Sequence, residues 1–492
     1  MFLSKNEVKF IIIVSILAGI FYVLFFPGNS FYPDQEQYLT LGNDIINGKF
    51  SLGVLHRGAV LPFLTSLSLL MLGVNATIFV LPLVLTILLI VTSFVFAKKM
   101  IGSGYIATII LLTLPYFWRW TVRLLVETTL TILILISIML FFDIVEGKEK
   151  DKNIKKPFLL GISAALSFLT KFTGILLFPV FFVYLLFRKK LSVLKEGRIL
   201  FSIFIFALVS VSISLIIFVL SGTFGIEHLF VFSNVSANNV LYYFTRFAII
   251  PWSLFFIIGF IPMIKRKSKE NVMLLSMFFV IFLVFQLANF KEDRFLFAIF
   301  PVYACIATLG FNWLKKYFKL CAKCVFVLFA VIGILLSAWM LVFDSNHHLD
   351  RIPAGDFVSN LPKDAIIASE VSVGYLSLFH PNVIYFPADD IETRKINQFV
   401  EGWAKSNNAD YIIITIYGEF NRHPNYYDYY PDFFFGLKLP IKHEYRSNRI
   451  PPDTKFKSAV YTQLETWDSF EKIYENYQNE QKIFIVYKVN KE

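Results

Sequence analysis

Three side chains that could act on a hydroxyl group lie in the stretch 31–48, just after the first long apolar run. Pro33 can open a helix with Asp34 in its first turn, where the helix dipole favours a carboxylate. Tyr38 follows Asp34 at a spacing of four, so both lie on one face, and Glu36 lies between them. A carboxylate in this place can accept a proton from a reacting hydroxyl. It can also simply cap the helix, and both interpretations stay open.

Two apolar patterns surround these residues. Leu41 and Ile45 continue a stripe along the predicted helix, which indicates that this helix lies on the bilayer surface. The run Leu61 to Gly73 is too short to cross a bilayer and starts near Pro62. We expect an interfacial or re-entrant helix there.

Basic residues form a second candidate group. Arg119, Arg123 and Glu127 repeat at intervals of four and would share one face of a helix. Such a row can be an inert ion-pair ladder, or it can hold a phosphate, because guanidinium groups match phosphate oxygens in a bidentate way.

Three further cations occur in short segments between apolar runs. Lys171 is a lone cation in a very short turn, and Lys291 and Arg294 enclose the sequence Glu-Asp. A lone Lys at the end of a span often snorkels to the interface rather than binding a ligand. The mixed charge of 291–294 is also compatible with a solvated loop.

The composition of the chain indicates that these groups belong to a membrane protein. The 492 residues are 57% hydrophobic and 16% charged, whereas soluble chains carry about 25% charged residues. An ordinary soluble enzyme and a disordered chain are therefore excluded. The net charge of +11 is spread between apolar runs, which favours membrane topology over nucleic-acid binding. Cys305, Cys321 and Cys324 cannot form a disulfide framework, and Cys321 and Cys324 are interpreted as apolar helix residues.

The apolar runs predict a polytopic α-helical membrane protein with about eleven transmembrane helices. With the N-terminus inside, 22 basic residues fall on inner segments and eight on outer ones, which places the N-terminus in the cytoplasm. The predicted spans are 8–26, 76–97, 104–118, 125–142, 158–170, 173–187, 199–220, 247–264, 271–289, 295–313 and 322–343.

The last part of the chain has another character. Short apolar runs suited to buried strands alternate with amphipathic stretches, for example Tyr411–Ile416 after Glu392–Ser406. This pattern predicts an extracytoplasmic α/β domain at 344–492 with a partly parallel sheet. Residues 1–343 then form the membrane domain, and 27–75 form its first outer loop with interfacial helices.

The order of these features resembles the polyprenyl-phosphate-sugar-dependent glycosyltransferases of the GT-C superfamily, which includes protein O-mannosyltransferases and aminoarabinose transferases. The resemblance covers about 1–343 and rests on five short motifs. They are Asp34-Gln-Glu-Gln-Tyr38 with Gly48 downstream, His56-Arg57-Gly-Ala-Val-Leu-Pro62, Pro115 with Arg123 and Glu127, Leu166-Ser-Phe-Leu-Thr-Lys171, and Arg294-Phe-Leu-Phe-Ala-Ile-Phe-Pro301.

The sequence also departs from the family pattern. Gln35 stands in place of a frequent second acidic residue, and Gly58-Ala59 stand in place of paired prolines. The chain has no Trp-Trp-Asp-Tyr-Gly stretch, which disfavours the oligosaccharyltransferase branch and its metal requirement.

The resemblance implies an inverting transfer of a sugar from a polyprenyl- or dolichyl-phosphate donor at the outer membrane face. The acceptor would be a hydroxyl group of a protein, a lipid or a glycan. The implied partners are this lipid-linked sugar, the acceptor and the bilayer, without nucleic acid, cofactor or metal. A lipid-linked-sugar flippase or another polytopic transporter is the alternative function.

The resemblance also implies roles for individual residues. Asp34 would be the general base, and Glu127 the second catalytic carboxylate. Tyr38 and Glu36 would position the substrate. The donor phosphate would be bound by Arg57, Arg123, Lys171, Lys291 and Arg294.

Overall fold

The computed structural model describes most of the chain and divides it into two compact units. The first unit comprises Met1–Phe26 and Leu41–Val342, and the second comprises Pro27–Thr40 and Phe343–Glu492. The described residues are 3–26, 33–49, 58–147, 154–221, 251–287, 293–345, 351–369, 376–385, 396–415, 433–434, 437–438, 469–478 and 481–490.

The first unit is helical. Its helices, with α2 shared between the units, are α1 Lys5–Phe25, α2 Pro33–Ile46, α3 Val60–Ile101, α4 Tyr105–Leu112, α5 Pro115–Thr121, α6 Val126–Glu146, α7 Lys155–Thr170, α8 Leu177–Phe187, α9 Gly197–Ser221, α10 Ser253–Lys265, α11 Lys269–Leu287, α12 Phe300–Tyr317 and α13 Lys319–Ser345. Three 3₁₀ helices occupy Phe172–Leu176, Leu191–Lys195 and Asp293–Ile299.

Several of these helices have the length and composition of membrane spans. In the described residues, seven helical segments are long and apolar enough to cross a bilayer, and Phe172–Phe187 and Ser253–Lys265 are shorter apolar helices. The chain is therefore a multi-pass helical membrane protein. The count of eleven spans stays a prediction.

Helix α3 is too long for one straight span. Its 42 residues would extend over about 63 Å at 1.5 Å per residue, and a span needs about 20 residues. Gly73 interrupts it with φ 76° and ψ 178°. The apolar run Leu61 to Gly73 thus forms a helical segment of its own before the predicted span 76–97.

The predicted span 104–118 is wrong as a single helix. Helix α4 ends at Leu112, and α5 begins anew at Pro115, which occupies the first helical turn and cannot continue the preceding ladder. Between them, the Thr113 hydroxyl accepts a hydrogen bond from Trp252 Nε1 at 3.0 Å. This break places α5 and the following segment 122–125 at one end of the bundle.

Helices α10 and α12 pack side by side. The hydroxyl oxygens of Ser253 and Tyr303 are 3.3 Å apart, near the start of both helices. Farther along both helices, a Cβ on Gly310 of α12 would meet the amide nitrogen of Gly259 in α10. The two helices therefore run in the same direction, and Lys265 ends α10 at the same end of the bundle where α12 ends.

The C-terminal unit contains a five-stranded mixed sheet with the strand order β2-β1-β3-β7-β6. Strand β1 is parallel to β2 and β3, whereas β7 is antiparallel to β3 and β6. Buried Ile and Val side chains of β1, β3 and β7 form its core. The elements are α14 Arg351–Ser359, β1 Ile367–Ser369, β2 Val383–Tyr385, α15 Ile396–Ser406, β3 Tyr411–Thr415, β4 Phe433–Phe434, β5 Leu437–Lys438, β6 Phe470–Gln478 and β7 Gln481–Val489.

Candidate functional site

A buried carboxylate with two cations lies at the start of α6. Lys171 Nζ donates to Glu127 Oε1 at 2.8 Å, and Arg294 Nε lies 3.9 Å from the same oxygen. The Glu127 side chain is 4% exposed, whereas Lys171 is 25% exposed. Within the described part of the chain, Glu127 Oε2 is buried without a hydrogen-bond partner. The three residues join segments that are distant in sequence.

Local structure explains why these side chains meet. Glu127 lies in the first turn of α6, where the helix dipole stabilises its negative charge. Lys171 follows the last residue of α7, and a hydrogen bond of 2.8 Å between the Ser137 and Ser163 hydroxyls ties α6 to α7. Arg294 lies in the 3₁₀ helix Asp293–Ile299. Helix ends thus bring the three charges together.

Aromatic rings line the same cations. Lys171 Nζ lies 4.8 Å from the ring centroid of Phe295, and the Arg294 guanidinium carbon lies 5.9 Å from it. Arg123 lies over the ring of Trp120 at 5.3 Å and is 6% exposed. These rings help to hold the cations in place by cation–π attraction.

The predicted row of Arg119, Arg123 and Glu127 on one helix face is wrong. Arg119 lies in the last turn of α5, Arg123 lies in the segment 122–125 that is not helical, and Glu127 belongs to α6. Arg119 is 2% exposed and lies 4.8 Å from the Trp120 ring. The change of direction after α5 separates positions that a continuous helix would align.

Two observations concern the cations whose interpretation was left open. Lys171 forms an ion pair with a buried carboxylate, and the Arg294 side chain is 11% exposed. That these cations bind a ligand stays a prediction. Lys291 and Arg57 lie outside the described residues, and their roles stay predictions.

Gly58 fixes the chain against the end of α7. Its φ of 85° is in the left-handed region, and a Cβ there would collide with the Thr170 carbonyl group. The Ala59 amide also donates to the Leu169 carbonyl at 2.7 Å. Glycine at this position, where the GT-C pattern has proline, therefore lets the chain approach Leu169 and Thr170, the two residues before Lys171.

Asp34, Glu36 and Tyr38 lie in the part of α2 that belongs to the second unit. The structure confirms that Pro33 opens α2 and that Asp34 lies in its first turn. Asp34 is 9% exposed, Glu36 8% and Tyr38 3%, so all three are buried. Their predicted roles at the reacting groups stay predictions.

Protein side chains cover the apolar stripe of α2, and the location of this helix on the bilayer surface stays a prediction. Leu41 and Ile45 pack in a core cluster with Ala59 and with Ile217 of α9. An apolar helix face looks the same in sequence whether lipid or another helix covers it.

In the same helix, burial raises the pKa of the Asp44 carboxyl, and the charge of Lys49 opposes that shift.

Sequence reasoning missed three residues of this region. Phe295 and Trp120 each adjoin a cation in sequence, which was the available signal for cation–π contacts. Gly58 had no signal beyond its place where the family pattern has proline.

In the described residues, no group of three His, Cys, Asp or Glu side chains is arranged to hold a metal ion.

Comparisons with known proteins agree with this architecture. The family model described as dolichyl-phosphate-mannose-protein mannosyltransferase matches residues 56–217. No curated protein sequence matches the chain.

Solved structures share the fold at low sequence identity. ArnT from Cupriavidus metallidurans bound to undecaprenyl phosphate has a TM-score of 0.66 at 13% identity, with 98% of each chain covered. Its apo state gives 0.63 at 12% identity, again with 98% of each chain covered. An oligosaccharyltransferase of Archaeoglobus fulgidus in complex with Zn and sulfate gives 0.59 at 13% identity, covering 85% of this chain and 69% of that chain. Together these matches support the resemblance stated from the sequence, and they show that the chain shares the fold of these membrane proteins.

Proposed function

We propose that the protein is a glycosyltransferase that moves a sugar from a polyprenyl- or dolichyl-phosphate donor to a hydroxyl acceptor. The reaction takes place at the outer membrane face and inverts the anomeric carbon. The acceptor is a protein, a lipid or a glycan. The donor phosphate binds at the cluster of Glu127, Lys171 and Arg294, and Arg123 supplies a further cation.

The observation that carries this proposal is the geometry of Lys171. Its ammonium group donates one hydrogen bond to Glu127, and it has no further hydrogen bond to the described residues. An ammonium group has three N–H donors, so two are available for a phosphate oxygen. A quarter of its side chain is exposed, while the carboxylate that orients it is buried. The cation is thus held in place and accessible at once.

The reaction follows from these charges. Asp34 accepts the proton of the acceptor hydroxyl as its oxygen forms a bond to the anomeric carbon. The bond from that carbon to the phosphate oxygen breaks on the opposite face, and the electron pair leaves with the lipid phosphate. Lys171 and Arg294 stabilise the negative charge that develops on this phosphate, as fixed donors do for other developing anions. Glu127 keeps both cations in position.

The structural relatives support the class of donor. ArnT, whose fold this chain shares, was solved with undecaprenyl phosphate, and the matching family model carries dolichyl-phosphate-mannose in its description. The first name contains a polyprenyl phosphate, and the second contains a sugar linked to such a lipid phosphate. A monophosphate leaving group also suits a site built from Lys and Arg.

The test is sugar transfer in membranes that contain wild type, Asp34→Asn or Asp44→Asn, supplied with labelled polyprenyl-phosphate sugars. Loss of a general base lowers the rate about 10²- to 10⁴-fold, so we expect that loss in Asp34→Asn. Asp44→Asn removes an equal charge from the same helix and should keep near-normal activity. Equal activity of Asp34→Asn and wild type would exclude Asp34 as the base.

The transporter alternative is tested in the same preparation. Vesicles with a labelled lipid-linked sugar in one leaflet report its movement to the other leaflet. Movement that depends on the protein, without transfer to any acceptor, would replace the proposed transferase with a flippase.

A further inference from the structure

Eight cations gather where α10 and α12 end and α13 begins. They lie in the segments 265–269 and 315–323, neither of which contains an acidic residue. We call this set the basic patch, and its members are Lys265, Arg266, Lys267, Lys269, Lys315, Lys316, Lys319 and Lys323.

The packing of three helices brings both segments to one end of the bundle. Helices α10 and α12 run side by side in the same direction, so their last residues are neighbours. Helix α13 turns back directly after α12, with the rings of Phe311 and Phe326 at 4.8 Å. Lys269 also lies 5.6 Å from the ring of Phe142. The basic patch therefore lies at the end of the bundle where α6 ends.

Other cations at helix ends are neutralised by carboxylates. Lys98 pairs with Glu7 at 2.6 Å and Lys99 with Asp143 at 2.6 Å. By contrast, the described ion pairs include none of the eight cations of the basic patch. Six of the eight are exposed, namely Lys265, Arg266, Lys267, Lys316, Lys319 and Lys323. Among the described ion pairs, no carboxylate balances the positive charge of this patch.

Exposed aromatic and apolar side chains lie among these cations. Tyr317 is 57% exposed, Phe318 60% and Leu320 77%. They lie where α12 ends and α13 begins, and both helices are candidate membrane spans. Aromatic residues at the ends of spans lie at the level of the lipid head groups, and cations beside them meet anionic lipids.

We propose that the basic patch binds the phosphate head groups of anionic glycerophospholipids. The cations attract the lipid phosphates, and the exposed rings insert beside the acyl chains. This binding takes place at the opposite end of α6 from Glu127. It does not depend on the proposed sugar transfer, so either proposal can fail alone.

The test uses the full-length protein in neutral detergent and measures its Tm during titration with phosphatidylglycerol or phosphatidylcholine. A ligand of the native state raises Tm, so phosphatidylglycerol should raise it and phosphatidylcholine should not. About 1 M salt should abolish the rise, because the Debye length then falls to about 3 Å.

A matched pair of variants locates the site. Lys319→Gln/Lys323→Gln removes two charges of the basic patch, and each charge contributes about fivefold to lipid affinity, so about 25-fold more phosphatidylglycerol should be needed. Lys189→Gln/Lys195→Gln removes two exposed lysines after α8 and should behave like wild type. Equal lipid requirements in both variants, or equal responses to the two lipids, would overturn the proposal.

Discussion

Helix α6 has a glutamate near each end, with side chains 4% and 8% exposed, and each glutamate has two cations nearby. Glu127 has Lys171 at 2.8 Å and Arg294 at 3.9 Å. Glu146 has Lys190 at 3.1 Å and Arg188 at 3.7 Å. The two glutamates are nineteen positions apart in sequence, which corresponds to about 28 Å of helix. This is close to the thickness of the hydrocarbon core, about 30 Å. A cluster of one Glu, one Lys and one Arg thus occurs at each end of this span.

The two clusters differ in what else they bind. The Tyr184 hydroxyl donates to Glu146 Oε1 at 2.7 Å, and Lys190 also donates to the Val145 carbonyl at 3.3 Å. At the other end, Glu127 Oε2 has no hydrogen-bond partner in the described part of the chain. The Glu146 cluster also has a buried donor, Arg188 Nε, without a hydrogen-bond partner in the described residues. The difference is therefore that Tyr184 and Val145 add protein partners at the Glu146 end, whereas at the Glu127 end a carboxylate oxygen has none. The first arrangement fastens α8 to α6, and the second is suited to a ligand.

The largest expected effect is on catalysis at the Glu127 end. Lys171→Gln removes a donor to the developing phosphate charge, and we expect kcat to fall about 10²- to 10³-fold. Its counterpart Lys190→Gln removes an equal charge at the Glu146 end and should leave kcat nearly unchanged. Sugar transfer by both purified variants measures this. Similar losses in the two would remove the functional distinction between the ends.

A smaller effect is expected from the carboxylates themselves. Glu127→Gln keeps the shape of the side chain but no longer holds Lys171 and Arg294 by charge, so kcat/KM should fall about tenfold, or about 1.4 kcal/mol. Glu146→Gln should leave kcat/KM unchanged. Measurement of kcat/KM and Tm for both variants distinguishes a functional role of Glu127 from a structural one. A loss at Glu127 that merely follows the loss of Tm would make it a structural residue.

The smallest effect is expected at Tyr184. Tyr184→Phe removes the hydroxyl that donates to Glu146, and the free energy of unfolding should fall by about 1 kcal/mol. Activity at a temperature well below Tm should not change. Thermal unfolding and sugar transfer on one preparation measure both quantities. A change of kcat without a change of Tm would connect the Glu146 end to catalysis.

Much of the helical architecture follows from hydropathy alone. Runs such as 125–142 and 322–343 are apolar for about the length that a span needs, and helices α6 and α13 occupy them. The strand predicted at Tyr411–Ile416 corresponds to β3. In contrast, the break between α4 and α5 is hidden because the apolar composition continues through it. Pro115 was the local signal for a new helix start.

The candidate site was predictable in residue identity but not in arrangement. Glu127 and Lys171 are 44 positions apart, and no local pattern predicts that they form an ion pair. The expected alignment of Arg119 with Glu127 failed because periodicity presumes an unbroken helix. Likewise, the Glu146 cluster gave no signal, since a carboxylate at the end of an apolar run usually meets solvent. Long-range packing of helix ends supplies this information.

The close approach of Gly58 to the Thr170 carbonyl has a consequence for mutational scanning. Any side chain at Gly58 would displace the last turn of α7, and with it the adjoining Lys171. A scan that records sugar transfer would then rank this position beside the charged residues, although glycine has no reactive group. Variants of Gly58 with normal abundance and low sugar transfer would act by displacing Lys171. A functional map of this protein should therefore not count Gly58 among the reacting residues.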